Sequence, residues 1–312
     1  MKRFEATKNE DGQRLSRFVE KVCPTMPKGE LYKAFRNRRI KINGKRQQPE
    51  YKIIEGDIIE LYINDEYFTQ KPSKSGAKTV KVNVLYEDDN ILIAIKPFGL
   101  ICHSDNKNEA NLIDSIIEYL KQNRAFTPDK ENNFTPALCN RLDQGTEGLI
   151  IAAKNYVALR EMNKLIADDI LIKQYLMLTK HSVKDGVYEA YHQRVLSKKK
   201  VYISAYEKDG YLPIRTGFRV LDSKKDVNLV ECTLYTGKTH QIRAHAAFLG
   251  WPIIGDRKYN KDESDPKDIK SQMLCAYKIT FKDISSDNPL NYLSGKVFEY
   301  DDSTVMNYFR SY

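Results

Sequence analysis

The residues with the clearest claim to chemistry lie in the stretch ALCNRLDQGTEGLIIAAKN, residues 137–155. Arg141 and Asp143 flank Leu142, ahead of a Gly-rich turn at 145–148 and an apolar run at 149–153. A run that short, bounded by turn residues, suits a buried strand better than a helix. The guanidinium and carboxylate therefore sit where a loop feeds a sheet, a common station for reactive side chains. An ionised Asp there can attack an electrophilic carbon or take a proton. The same residue in the same place is also an ordinary turn former or ion-pair partner.

A second stretch, YTGKTHQIRAH at 235–245, imitates two other kinds of site. Gly237-Lys238-Thr239 looks like the end of a phosphate loop, but that motif needs a glycine five residues earlier, where Cys232 stands. His240 and His245 are separated by about 140° around a helix and do not converge on one metal. His103 has no neighbour at metal-ligand spacing and reads as loop packing. The five cysteines, Cys23, Cys102, Cys139, Cys232 and Cys275, are odd in number and show no CxxC pair. Neither a disulfide framework nor a zinc ribbon is expected on that pattern, and a reducing cytoplasm is the natural setting. No metal and no cofactor are expected. No run approaches the roughly eighteen apolar residues that would span a bilayer, so neither a membrane nor a secretory leader is expected, and the chain reads as a monomer.

The elements that must position these groups fall into two parts, as 312 residues suggest. The apolar fraction of 41% is sufficient for a core. In residues 1–65, apolar positions Leu15, Phe18, Val19 and Val22 predict a helix ended by Cys23-Pro24. A second helix follows, with Leu31, Ala34 and Phe35 inward. Residues 40–45 then alternate into an Asn43-Gly44 hairpin, and 58–63 form another strand. Between Lys28 and Lys52 stand nine basic residues and two acids, Glu30 and Glu50. Most of the net charge of +9 is concentrated there. A solvated helix face is one explanation; a phosphate-binding surface that includes Lys33, Arg36, Arg38, Arg39, Lys41 and Lys45 is the other. Residues 66–83 are polar and rich in Pro, Gly, Ser and Lys, which predicts a linker.

Beyond it, 82–86 and the continuous apolar run 91–95 predict strands, closed by Lys96-Pro97-Phe98-Gly99. Residues 111–122 carry a broad apolar helical face, and a polar loop, 123–133, follows. Spacing predicts a helix over 156–171, a strand over 173–178 and another over 229–234. Residues 181–222 are weakly patterned, with short strands and a Lys198-Lys199-Lys200 run that fits a solvated turn as well as a contact. Thr239 is placed to cap a helix that Gly250 ends.

Several of these stretches together resemble the RluA-type pseudouridine synthases. Arg141-Leu142-Asp143 with Gly148-Leu149 and Ala153-Lys154-Asn155 is similar to that family's central motif. Asn140 departs from the frequent His, and Gln144-Gly145 from the usual Arg/Lys-Asp pair, which leaves the subfamily open. The segment from Tyr86-Glu87-Asp88 to Lys96-Pro97-x-Gly99 resembles the first motif, a scaffold beside the cleft. Residues 173–178 resemble the second, 237–245 with 252–259 the third, and 273–276 the last. The resemblance spans 84–282. Residues 1–65, with Arg14-Leu15, the basic second helix, the Asn-Gly hairpin and Gly56-Asp57, resemble an S4 domain, a small RNA-binding module.

What the resemblance implies is specific. The fold is α+β, a mixed and largely antiparallel sheet over 84–312, joined by the 66–83 linker to a small S4-like α/β domain. The activity is cofactor-free isomerisation of uridine to pseudouridine in RNA, with large-subunit ribosomal RNA the expected partner. Asp143 is the catalytic carboxylate, Arg243 faces it, and Tyr175 packs against the target base, although Tyr175 taken alone is ordinary strand filling. Arg141 holds a phosphate or the place of the extruded nucleotide, and Leu274 lines the pocket. Lys96 reads as scaffold or phosphate contact. Two other outcomes stay open: a non-catalytic ribosome-assembly protein on the same fold, and transfer RNA as substrate.

Overall fold

The computed structural model describes residues 1–68, 78–104, 109–126, 134–195, 197, 200–260, 266 and 269–312. The N-terminal elements are β1 (Lys2–Glu5), α1 (Leu15–Val22), α2 (Lys28–Arg36), β2 (Ile40–Ile42), β3 (Lys45–Arg46) and β4 (Ile58–Leu61). Their four strands make an antiparallel sheet in the order β1-β4-β2-β3. The two helices bury Leu15, Phe18, Val19, Leu31, Ala34 and Phe35 against Ile40, Ile42, Ile59 and Leu61 in a core of its own. The Asn43-Gly44 turn has positive φ at both residues, 50° and 76°, as a two-residue hairpin requires.

The larger part comprises β5 (Asn83–Glu87), β6 (Ile91–Lys96), α3 (Leu112–Gln122), β7 (Ala137–Leu138), β8 (Glu147–Ala153), α4 (Tyr156–Ala167) and β9 (Leu171–Thr179). It continues through β10 (Gly186–Val195), β11 (Lys200–Ser204), β12 (Leu212–Lys224), β13 (Val227–Leu234), α5 (Gln241–Phe248), β14 (Leu274–Phe281), β15 (Val297–Glu299) and α6 (Thr304–Arg310). An eleven-stranded sheet runs β11-β10-β12-β13-β9-β14-β8-β6-β5, with β15 beside β14 and β7 beside β8. The pairings are antiparallel except β14 with β8. One apolar cluster holds Ile116, Ile150, Met177 and Val230; a second holds Ile91, Leu149, Met162 and Phe281. Successive residues of β6 and β8 divide between these two clusters, which is why both strands read as unbroken apolar runs.

The α+β architecture and the largely antiparallel sheet are as expected from the sequence. Three boundaries differ. The helix expected to reach Leu171 stops at Ala167, because Asp169 turns the chain with φ 55° and Leu171 already begins β9. The apolar spacing at Ile166 and Ile170 continued past a turn that local periodicity does not register. The second difference is at α5, whose N-cap is His240 in the left-handed region and not Thr239. The third is the weakly patterned segment, which forms β10 to β12, up to 13 residues long. Of the expected linker, residues 69–77 lie outside the described residues, as do 127–133 of the polar loop and Lys198 and Lys199.

Candidate active site

Asp143 is carried by the loop between β7 and β8. Leu142 anchors that loop in the core, 8% exposed, and its backbone N–H donates to Cys102 Sγ at 3.4 Å. Asn140 Oδ1 accepts the Ile151 N–H at 2.8 Å, fixing the loop to the strand it feeds. From below, Lys96 is fully buried and its Nζ donates to the carbonyls of Pro97, Leu100 and Gln144 at 2.9, 2.7 and 3.1 Å. Burial pushes its pKa down to about 8, against the opposing charges of the Asp143 and Glu147 carboxylates. Lys96 is thus a cross-brace between two loops, the scaffold role and not the phosphate contact.

Gly148 shows why the turn before β8 is glycine-rich. It has φ 119°, and a Cβ there would lie 2.2 Å from the Ala276 carbonyl oxygen. Only glycine lets β8 approach β14, its parallel neighbour, through the pair Ala276–Gly148.

Arg243 comes from α5, across the cleft. Its Nη1 donates to Asp143 Oδ2 at 2.9 Å. Its Nε and Nη2 donate to the two carboxylate oxygens of Asp256 at 2.7 and 2.8 Å. The bidentate pair fixes the plane of the guanidinium, and the remaining arm reaches Asp143. Burial works against the charge, but Asp256 and then Asp143 more than offset it, so the guanidinium pKa stands above its ordinary value. Asp256 is itself buried, 1% exposed, and accepts the backbone N–H of Lys258 and Tyr259 at 3.0 and 3.3 Å. Asp143 keeps a side chain 25% exposed. It is therefore held but still reachable from solvent.

Tyr175 lies on β9, buried between Cys232 of β13 and Ala276 of β14. Burial, then the charge of Asp143, holds its hydroxyl pKa above the ordinary phenol value. Arg141, Asp143, Tyr175, Arg243 and Leu274 all line one open cavity of about 500 Å³, a size that accommodates a small planar ligand. Arg141 is exposed at its rim and Leu274 is buried in its wall.

The six basic residues expected to bind RNA do not belong to this cavity. Lys33, Arg36, Arg38, Arg39 and Lys45 are exposed on α2, the following turn and β3. Lys41 is half-buried, with its Nζ 5.1 Å over the Tyr62 ring. Sequence reasoning missed two residues of the site. Asp256 was legible only as part of the 252–259 match, and nothing local marks it as the partner of Arg243. His240 was weighed as a metal ligand and dismissed, yet it lines the cavity with its Nε2 3.7 Å from Asp143 Oδ2.

Comparison with known proteins identifies the family. The family described as RNA pseudouridylate synthase matches residues 90–248, which include Asp143, Tyr175 and Arg243 but not Asp256 or Leu274. An "Uncharacterized RNA pseudouridine synthase" of Mycoplasma capricolum is 34% identical over 303 residues, 95% of this chain and 96% of its own length. "Ribosomal large subunit pseudouridine synthase C" of Escherichia coli (strain K12) is 30% identical over 265 residues, 83% of this chain and 80% of its own. The solved structure "Human RNA Pseudouridylate Synthase Domain Containing 4" shares the fold with a TM-score of 0.52 at 22% identity, over 64% of this chain and 84% of that one.

Proposed function

The chain belongs to the RNA pseudouridylate synthase family and is an RNA pseudouridine synthase, an isomerase; from that premise we propose that Asp143 is its catalytic carboxylate and large-subunit ribosomal RNA its substrate. The reaction breaks the bond from N1 of uracil to C1′ of the ribose, turns the base, and joins C5 to C1′. N1 gains a proton and C5 loses one, so no oxidant, reductant or energy source is consumed.

The observation that carries the reading is the Asp256–Arg243–Asp143 chain of charge-assisted hydrogen bonds at the mouth of the cavity. A carboxylate that attacks C1′, or removes the 2′ proton after the base has left, must be negatively charged and fixed in direction. Arg243 supplies the opposite charge, and Asp256 fixes Arg243. Of the two roles we favour proton removal through a glycal-like intermediate.

The target uridine leaves its stack to enter, at a cost of a few kcal/mol. Stacking on Tyr175 returns about 1–3 kcal/mol of that. The raised hydroxyl pKa keeps Tyr175 a neutral phenol that can also hand on a proton. Leu274 supplies apolar wall, and Arg141, exposed at the rim, is placed for a phosphate or for the gap left by the extruded nucleotide.

Residues 1–65 are an S4-like RNA-binding domain, 66–83 a linker and 84–312 the catalytic domain in this proposal. Support for the first comes from the separate core of two helices on a four-stranded sheet, and from the exposed Lys33, Arg36, Arg38, Arg39 and Lys45. The names of relatives such as the Escherichia coli protein support ribosomal over transfer RNA. Free thiols at all five cysteines suit a reducing cytoplasm. No helix among the described residues is long and apolar enough to cross a membrane.

The test is carbodiimide mapping of pseudouridine in RNA from cells with and without this protein, and from cells carrying Asp143→Ala. We expect one or more large-subunit sites to vanish in both deficient strains, while purified Asp143→Ala still binds RNA. A full complement of pseudouridine with Asp143→Ala would refute the assignment.

A further inference from the structure

His240 stands in a conformation that the surrounding chain enforces. It has φ 54° and ψ 21°, the left-handed region, which costs a non-glycine residue about 1 kcal/mol or more. The turn that holds it is fixed from several sides. His192 Nε2 donates to the Thr239 carbonyl at 2.9 Å. Gln241 Oε1 accepts the Lys238 N–H at 3.0 Å, and its Nε2 donates to Thr216 Oγ1 at 2.9 Å. Such a backbone persists where the neighbourhood over-determines it, and here it delivers an imidazole to the cavity wall.

The orientation of that ring is also fixed. Tyr259 Oη accepts the Val201 backbone N–H at 3.1 Å, and it lies 2.8 Å from His240 Nδ1. An acceptor-only carboxylate, Asp143, stands on the Nε2 side of the ring, which favours the neutral tautomer with its hydrogen on Nε2 and Tyr259 Oη donating to Nδ1. Nε2 is the atom that faces Asp143 Oδ2, at 3.7 Å. Burial, the largest influence on the ring, lowers its pKa, with Arg243 and Lys258 acting in the same direction against Asp143, so the neutral form is favoured.

Both neighbours of the carboxylate address the same oxygen. Arg243 Nη1 is 2.9 Å from Oδ2, and His240 Nε2 approaches Oδ2 as well. Among the described residues no hydrogen bond is made to Oδ1. Resting on the reading that Asp143 is the reacting group, we propose that His240 is a positioning residue: its Nε2–H closes onto Oδ2 when substrate is seated, and Oδ1 is the oxygen that works on the sugar. The 3.7 Å gap is too long for a hydrogen bond. Contacts of this kind commonly tighten only in the substrate complex.

The test uses the full chain on an RNA that the wild type modifies, with uridine tritiated at C5. Single-turnover release of tritium reports isomerisation, filter binding reports RNA affinity, and thermal unfolding reports the fold. His240→Gln keeps a donor near the Nε2 position; His240→Met fills similar space without one. We expect His240→Met to react about 10- to 100-fold slower with RNA affinity and unfolding unchanged. His240→Gln should recover to within about threefold of wild type, and Tyr259→Phe, which frees the tautomer, should fall between them. Equal slowing of Gln and Met, or a wild-type rate in Met, overturns the proposal. If Met fails to fold, a wild-type rate in Tyr259→Phe overturns it, and slowing in Tyr259→Phe with Gln near wild type upholds it. Asp143→Ala run alongside separates the two readings: activity there removes the assignment of Asp143 and this inference with it, whereas an inert Asp143→Ala beside an unaffected His240→Met removes only the inference.

Discussion

Arg243 and Arg36 are the same residue type put to opposite uses. Arg243 is 8% exposed and spends its donors on Asp256 and Asp143. Arg36, with Arg38, Arg39 and Lys45, stands exposed on the N-terminal sheet and its helices. A buried charge is tolerated only where its partners are fixed in geometry, so the site is rigid and its residues are individually irreplaceable. An exposed basic surface acts through its summed charge, so its members are individually dispensable. On the proposed reading, the difference separates two jobs, turning over one nucleotide and holding a large polyanion.

That contrast can be broken or sharpened by experiment. The largest effect is expected for Arg243→Lys, which cannot reproduce the fork onto Asp256: kcat should fall about 10²- to 10³-fold. Loss of activity with intact RNA affinity supports the contrast, whereas a wild-type kcat would place Arg243 outside the chemistry. Lys96→Met comes next. It strands the carbonyls of Pro97, Leu100 and Gln144 and should lower unfolding stability by about 3 kcal/mol, measured by chemical denaturation. An unchanged midpoint would show that the brace is idle.

His245 gives a smaller, pH-dependent effect. It is fully buried, its Nε2 has no partner among the described residues, and burial lowers its pKa from 6.5 to about 4. The unfolded chain takes up a proton near pH 6.5 that the folded chain refuses until about pH 4, so stability falls on acidification through that window. Above 6.5 the group has no effect. His245→Phe should abolish up to about 3 kcal/mol of that acid sensitivity, read from melting temperatures between pH 7 and 4. A parallel slope in both proteins would assign the acid loss elsewhere.

The smallest effect on turnover is expected from the exposed surface. Replacing Arg36, Arg38, Arg39 and Lys45 together by Ala should leave kcat unchanged and weaken RNA binding. The salt dependence of affinity should flatten by about 0.7 to 0.9 for each phosphate contact removed. An identical slope would exclude this face from the RNA.

Much of this was legible beforehand where the local code is strong. Leu15, Phe18 and Val19 report one helix face, Asn43-Gly44 reports a hairpin, and the Ile91–Lys96 strand was visible as a short apolar run. Asp143, Tyr175 and Arg243 were found through a resemblance; residue type and spacing alone left each of them as plausible filling. Asp256 escaped because its importance is a contact with Arg243, thirteen residues away, and no periodicity encodes a side-chain fork. The N-cap at His240 escaped because Thr239 is the better cap by residue preference, and the left-handed turn is imposed by His192 and Gln241. The strands from β10 to β12 were legible as strands but not in their length or bounds, because their faces mix exposed and buried positions without clean alternation.

The insertion of β14 between β9 and β8 has a consequence for how the enzyme comes into being. Asp143 is threaded on the early side of that junction, while Arg243 and Asp256 follow on the late side. The strand that joins the two, Leu274–Phe281, leaves the ribosome after all of them. With Asp143 as the proposed catalytic carboxylate, a nascent chain would carry that side chain for more than a hundred residues of synthesis before its wedge strand could slot home.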